Sequence, residues 1–262
     1  MAGTRQKVLI TGSAGLIAGA VTRELGERYD FTGLDVRRPS DSAVRTLVAD
    51  LSEYAAMRPA FEGIDAVIHL GADARQDGAW SSILPNNVKA THNVFEACRD
   101  AGVRRVVFAS SNHAVGMFEL DEPYRRIRAG EYEDIDPEAI PQIDHRVPIR
   151  PDGDYGISKA FGEATGAYYS ENFGLQVACL RIGTVNRENR PTAVRQFATW
   201  CSHRDLVQLI ERCLSHPGLT FDIFYGVSNN RWRFWDISHA RDVLGYEPRD
   251  SAEAFRDSDQ EV

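Results

Sequence analysis

Short apolar runs alternate along the chain with stretches whose apolar residues recur every three to four positions. Residues 7–10, 31–34, 46–49, 66–70, 106–109 and 176–180 read as strands. Helices are expected over 14–27, 54–61, 85–101 and 155–173. Strands that are apolar at nearly every position are buried on both faces, and alternation with helices makes their sheet parallel. The expected fold class is therefore α/β, a doubly wound parallel sheet over residues 1–185. After Gly183 the pattern is mixed, with a helix over 199–214, a strand over 221–226, a short helix over 237–244 and a charged end from Asp250 that reads as frayed. Residues 186–262 are read as a small substrate-side region packed on the core. The stretch 119–151 breaks the rhythm with Pro, Asp, Glu and Arg. Long irregular insertions are often functional, and both a substrate-side lid and a plain solvated insertion fit it.

Composition removes several classes. A net charge of −8 over 262 residues argues against nucleic acid and anionic membrane surfaces as partners. No apolar run is long enough to span a bilayer, and the polar start leads straight into the first strand, so no signal peptide is expected. Cys98, Cys179, Cys201 and Cys213 lack metal-ligand or redox spacing. They read as reduced thiols of a cytoplasmic protein, with Cys98 and Cys179 in the core and no metal expected.

Two motifs carry chemistry. Thr11-Gly12-Ser13-Ala14-Gly15-Leu16-Ile17-Ala18 follows the first strand and opens a helix. Glycines there let backbone approach a pyrophosphate, whose charge sits on the helix N-terminus. Asp35, at the end of the second strand, would accept the ribose hydroxyls and favour NAD over NADP, although Arg37 and Arg38 nearby offer partners for a 2′-phosphate. Asp50 and Leu51 end the third strand, where an adenine would lie. Leu70, Gly71 and Ala72 end the fourth, where small residues admit a cofactor. The second motif is Tyr155-Gly-Ile-Ser-Lys159. A tyrosine and a lysine four apart share one helix face. An ammonium there lowers a phenol pKa toward neutrality and makes it a base for a sugar hydroxyl. Ser110-Ser111-Asn112-His113 closes an apolar strand and offers hydroxyl and imidazole groups to the same site. His69 reads as a buried strand histidine, and Trp232, Phe234 and Trp235 as core or oligomer surface.

In this combination and order the residues resemble the extended short-chain dehydrogenase/reductase superfamily, the NAD-dependent epimerase/dehydratase family. Phe108-Ala-Ser-Ser-Asn-His-Ala-Val-Gly116, Arg150-Pro-Asp-Gly-Asp-Tyr-Gly-Ile-Ser-Lys159, Arg181-Ile-Gly183 and Ala198-Thr-Trp200 are most similar to the sugar dehydrogenases typified by uronate dehydrogenase. The resemblance implies a Rossmann-type sheet and NAD-dependent oxidation of the C1 hydroxyl of a free hexuronate to an aldarolactone. It implies Ser111, Tyr155 and Lys159 as the catalytic triad, with Asn87 linking Lys159 to solvent through water. Asn87, Tyr155, Lys159 and Ile182 would also contact the cofactor. Arg75, Ser111, Asn112, His113, Tyr155, Thr184 and Arg195 would bind substrate, with Arg195 holding the carboxylate. It also implies a homo-oligomer. Thr184 stands where that family has a serine, and Ala74 replaces a substrate-binding serine. The segment Asp73-Ala74-Arg75 and the insertion resemble instead the archaeal NAD-dependent glucose-6-phosphate dehydrogenases. Glucose 6-phosphate and a neutral aldose therefore stand as alternative substrates. A nucleotide-sugar epimerase or dehydratase would use the same triad, but little chain follows Arg181 to cradle a nucleotide. A non-catalytic dinucleotide-sensing regulator has no need of the intact Tyr-Lys pair.

Overall fold

The computed structural model describes residues 5–39 and 44–256. Seven parallel strands form one sheet in the order β3-β2-β1-β4-β5-β6-β7. They are β1 (Lys7–Thr11), β2 (Asp30–Asp35), β3 (Arg45–Val48), β4 (Ala66–His69), β5 (Arg105–Ser111), β6 (Gln176–Ile182) and β7 (Phe221–Gly226). The helices are α1 (Leu16–Leu25), α2 (Tyr54–Met57), α3 (Trp80–Ile83), α4 (Ala90–Ala101), α5 (Tyr124–Ala129), α6 (Asp154–Phe173), α7 (Gln196–Thr199), α8 (His203–Ser215) and α9 (Ser238–Leu244). The reversal of strand order between β1 and β4 is the point where ligands of such sheets bind, beyond the carboxyl ends of the strands.

Two apolar layers cover the sheet. One packs α4 and the buried face of α6 through Val94, Phe95 and Tyr169 against Phe108 and Val177. The other packs α1 and α8 through Val21, Leu206 and Ile210 against Val8, Val107 and Leu180. All four cysteines are free and buried, and burial holds Cys98 protonated by pushing its thiol up.

The C-terminal region does more than pack beside the sheet, because β7 pairs with β6 from Val177↔Phe221 to Ile182↔Gly226. The insertion is not a plain solvated loop. Ile127, Ile140 and Ile143 enter the larger core, Ile143 bridges to Trp235, and His145 stacks on His239 at 3.7 Å between ring centres. The end from Asp250 is pinned rather than frayed as far as Arg256. Asp250 accepts from Ser202 and Arg204, and Ala252 is fully buried. Residues 257–262 lie outside the described residues. Trp232, Phe234 and Trp235 are buried in the core. No helix of the described residues is long and apolar enough to cross a membrane.

Candidate active site

The chain leaves β1 through Gly12, whose φ of +69° suits glycine and whose bare Cα lets the turn lie on the next crossing. A Cβ there would sit 2.8 Å from the Gly71 backbone nitrogen. Helix α1 then begins with no side chain capping it and no acid in its first turn. Helix-start N–H groups need acceptors and carry partial positive charge. This end fits a pyrophosphate. It faces a cleft of about 690 Å³ lined by Gly12, Gly15, Leu16, Ile17, Asp35, Asp50, Leu51, Leu70, Gly71 and Ala72, with Val36, Ala49, Asp73, Asn86 and Val185 among the rest. Ser13 and Ala14 are not on its wall. Ser13 is buried, and the Ala14 N–H donates to Asp35 Oδ2 at 2.9 Å. The Arg37 N–H donates to Asp35 Oδ1 at 3.1 Å. Each oxygen keeps a further lone pair for a ribose hydroxyl. Asp50 accepts the Ser52 N–H at 2.8 Å, a turn that shapes the wall where an adenine would rest. The Rossmann cleft therefore fits a dinucleotide.

A second cavity of about 250 Å³ shares Ile17, Leu70, Ala72, Ala74 and Val185 with that cleft. Ser111, His113, Tyr155, Lys159, Ile182 and Thr184 line it. The long β5 brings Ser111 to the cavity, and the second turn of α6 brings Lys159. Lys159 Nζ donates to the Ala109 carbonyl at 2.8 Å and lies 5.4 Å from the centre of the Tyr155 ring. Burial lowers the Lys159 ammonium to about 8. Burial likewise pushes the Tyr155 phenol up to about 12, with the Ser111 hydroxyl pulling it down and the Asp73 carboxylate pushing it further up. The expected drop toward neutrality is thus reversed in the protein alone. Desolvation of the phenol dominates, and the ammonium is held on Ala109.

Asn87 lies in a π-helical segment, Leu84–Lys89, between α3 and α4. Its amide oxygen accepts the Asp73 N–H at 2.7 Å, and its nitrogen donates to the Asp73 carbonyl at 2.9 Å and to Ser158 Oγ at 3.0 Å. It clamps the loop after β4 onto α6 beside Lys159, and it lines neither cavity. His113 Nδ1 lies 2.7 Å from the Asp152 carboxylate, which fixes the proton there and leaves Nε2 to accept from the Gln76 amide.

Three sequence-predicted substrate residues lie off the cavity wall. Arg75 forks its Nε and Nη2 onto Asp73 at 2.9 and 2.6 Å, which holds the Asp73 carboxyl well below the usual carboxylate range. Asn112 is buried and donates to Glu119 Oε1 at 3.0 Å. Arg195 forks onto the same carboxylate, Nε to Oε2 at 2.6 Å and Nη2 to Oε1 at 2.5 Å, with Nη1 reaching Thr184 Oγ1 at 3.4 Å. Glu119, Asp73, Gln76 and Asp152 were missed in the sequence. Asp152 stands inside the quoted Arg150–Lys159 motif, but Glu119 opens a charged insertion and no local pattern marks it.

Comparison with known proteins shows the family. The model of the NAD dependent epimerase/dehydratase family matches residues 8–207. The chain is 36% identical to the NAD-dependent glucose-6-phosphate dehydrogenase of Haloferax volcanii over 265 residues, which covers 95% of each chain. It is 38% identical to the uronate dehydrogenase of Pseudomonas putida, over 95% of this chain and 86% of that protein. A crystal structure of a uronate dehydrogenase variant from Agrobacterium tumefaciens complexed with NAD superimposes with a TM-score of 0.82 at 31% identity, over 97% of this chain and 89% of that one. The chain belongs to the NAD dependent epimerase/dehydratase family, as an enzyme whose cofactor is NAD.

Proposed function

We propose that this enzyme is a sugar dehydrogenase that oxidises the C1 hydroxyl of a free cyclic sugar to the lactone, with Tyr155 as the base. The observation that carries the reading is that the cavity lined by Tyr155, Ser111 and Lys159 shares walls with the dinucleotide cleft. Bound NAD supplies the acceptor for the C1 hydride and a positive ring that favours the phenolate. Tyr155 takes the proton of the C1 hydroxyl. Ser111 donates a hydrogen bond to the same oxygen and orients it. Lys159 stabilises the phenolate, and His113, held by Asp152 at Nδ1, offers Nε2 to another sugar hydroxyl in place of the Gln76 amide. Uronates, glucose 6-phosphate and neutral aldoses all carry the C1 hydroxyl this chemistry needs.

Tyr155→Phe should lower kcat/KM by about 10²–10⁴-fold, the usual worth of a positioned acid or base, while NAD still binds. Initial rates of NADH formation and equilibrium dialysis with NAD check both halves, and retained activity removes Tyr155 as the base. A homo-oligomer belongs to the same reading. It is supported by Ile157 and Tyr168, which share a face of α6 and stand 45% and 54% exposed. Light scattering at the mass of one chain would remove it.

A further inference from the structure

We propose that Glu119 makes this enzyme selective for an uncharged aldose, by occupying the Arg195 fork that would otherwise grip an acidic group on the sugar. The proposal rests on the sugar dehydrogenase reading above and names the substrate class of the same site. A guanidinium binds a carboxylate best through two parallel hydrogen bonds. Arg195 already makes that pair with Glu119, at 2.5 and 2.6 Å. Glu119 is only 4% exposed and is held from a second side by the Asn112 amide. Arg195 is held in turn at the start of α7, with Nη1 on Thr184, whose hydroxyl also bonds Thr199 at 2.9 Å.

A substrate carboxylate entering this fork would have to displace a buried one. Displacement strips Glu119 of its bidentate partner and leaves a buried carboxylate with only the Asn112 amide and the more distant Arg128, a costly state in a protein interior. Arg128 approaches the same carboxylate from the solvent side at 3.6 Å with its own side chain 46% exposed, so it offers an anion a weaker, hydrated contact. The cavity wall adds no other cation beyond Lys159, which sits at the reacting end. What the wall does present is hydroxyl, amide and imidazole groups, from Ser111, Thr184, Gln76 and His113. These suit the hydroxyls of an uncharged sugar.

The test measures kcat/KM of the purified enzyme with NAD for galactose, glucose, xylose and arabinose against galacturonate, glucuronate and glucose 6-phosphate. The expected result is a preference of about tenfold or more for an uncharged sugar over its uronate counterpart, since discrimination here comes from a repulsive charge. Glu119→Gln keeps the shape of the fork's partner and frees the positive charge of Arg195. It should raise kcat/KM for the uronate, chiefly through KM, and narrow that ratio by about tenfold. Wild-type preference for a uronate or for glucose 6-phosphate overturns the proposal whatever the variant does. So does a Glu119→Gln protein, folded by circular dichroism, that loses uronate and aldose turnover in equal measure, because Glu119 would then only brace the site. NADH formation from none of these sugars marks instead the failure of the dehydrogenase reading, and the proposal falls with it.

Discussion

Lys159 is buried in a position that costs stability. Its folded-state pKa of about 8 lies below the ordinary lysine value of 10.5. Between those values the unfolded chain holds a proton that the folded protein does not, so stability rises with pH across that window and is lowest below it. Lys159→Met should therefore stabilise the protein at pH 7, by about 1–3 kcal/mol. The lost hydrogen bond to Ala109 offsets part of the gain, and turnover should be abolished. Urea denaturation at pH 7 and pH 10 checks the sign: the advantage of the variant should shrink at the higher pH. A variant that is less stable at pH 7 would show that the ammonium is well solvated in the fold. The sequence made Tyr155, Lys159, Ser111 and Gly12 legible because each sits at a fixed offset from a strand end or within one helical turn. Arg195 and Glu119 lie 76 residues apart, and no periodicity reports a contact of that separation. The sequence could name the fork but not what fills it.

Helix α6 is the element on which the site depends, and close approach and a buried charge pair fix it to the sheet. A Cβ on Gly162 would lie 2.2 Å from the Phe108 ring, so glycine here sets the distance between α6 and β5. Gly162→Ala should cost about 1–3 kcal/mol through overpacking and lower turnover, since the displaced helix carries both Tyr155 and Lys159. Beside it, Glu163 accepts both Nε and Nη2 of Arg181 at 2.9 Å and the Ser110 hydroxyl at 2.6 Å. Glu163→Ala leaves the Arg181 charge buried and unpaired, which should cost about 3–5 kcal/mol. Thermal unfolding checks both, and a change under 1 kcal/mol for Glu163→Ala would mean that water reaches Arg181. Elements of this length were legible from their apolar periodicity, whereas the breaks were not. The helix expected over 54–61 becomes 3₁₀ at Arg58–Phe61, which contains Pro59. The helix expected over 85–101 begins earlier, at Trp80, and passes through the π-helical segment that carries Pro85 and Asn87. Proline lacks the N–H that an α ladder needs. The helix expected over 199–214 is two, because Trp200 turns extended and Ser202 caps a new start by accepting the Asp205 N–H.

At the scale of the molecule, one sheet carries both the dinucleotide cleft and the cavity lined by Tyr155, and the insertion is part of its core. Alternating apolar runs were enough to foresee the parallel sheet. They could not place β7 beside β6, because β7 is half-exposed over its first residues and reads equally well as part of a separate region. A cofactor that binds only the folded chain should stabilise the whole of it, by about 2.7 kcal/mol when NAD stands at a hundred times its Kd. The effect should persist in Tyr155→Phe, which keeps the cleft, and thermal unfolding with and without NAD reads it. The central claim is that the Tyr155 centre moves a hydride from a free sugar to NAD and keeps it there. The most direct measurement follows NADH and lactone together when enzyme and NAD are given a panel of free sugars, with UDP-sugars in parallel. The account predicts one NADH per lactone from at least one free sugar and no turnover of the nucleotide sugars. Conversion of a UDP-sugar with no net NADH would contradict it.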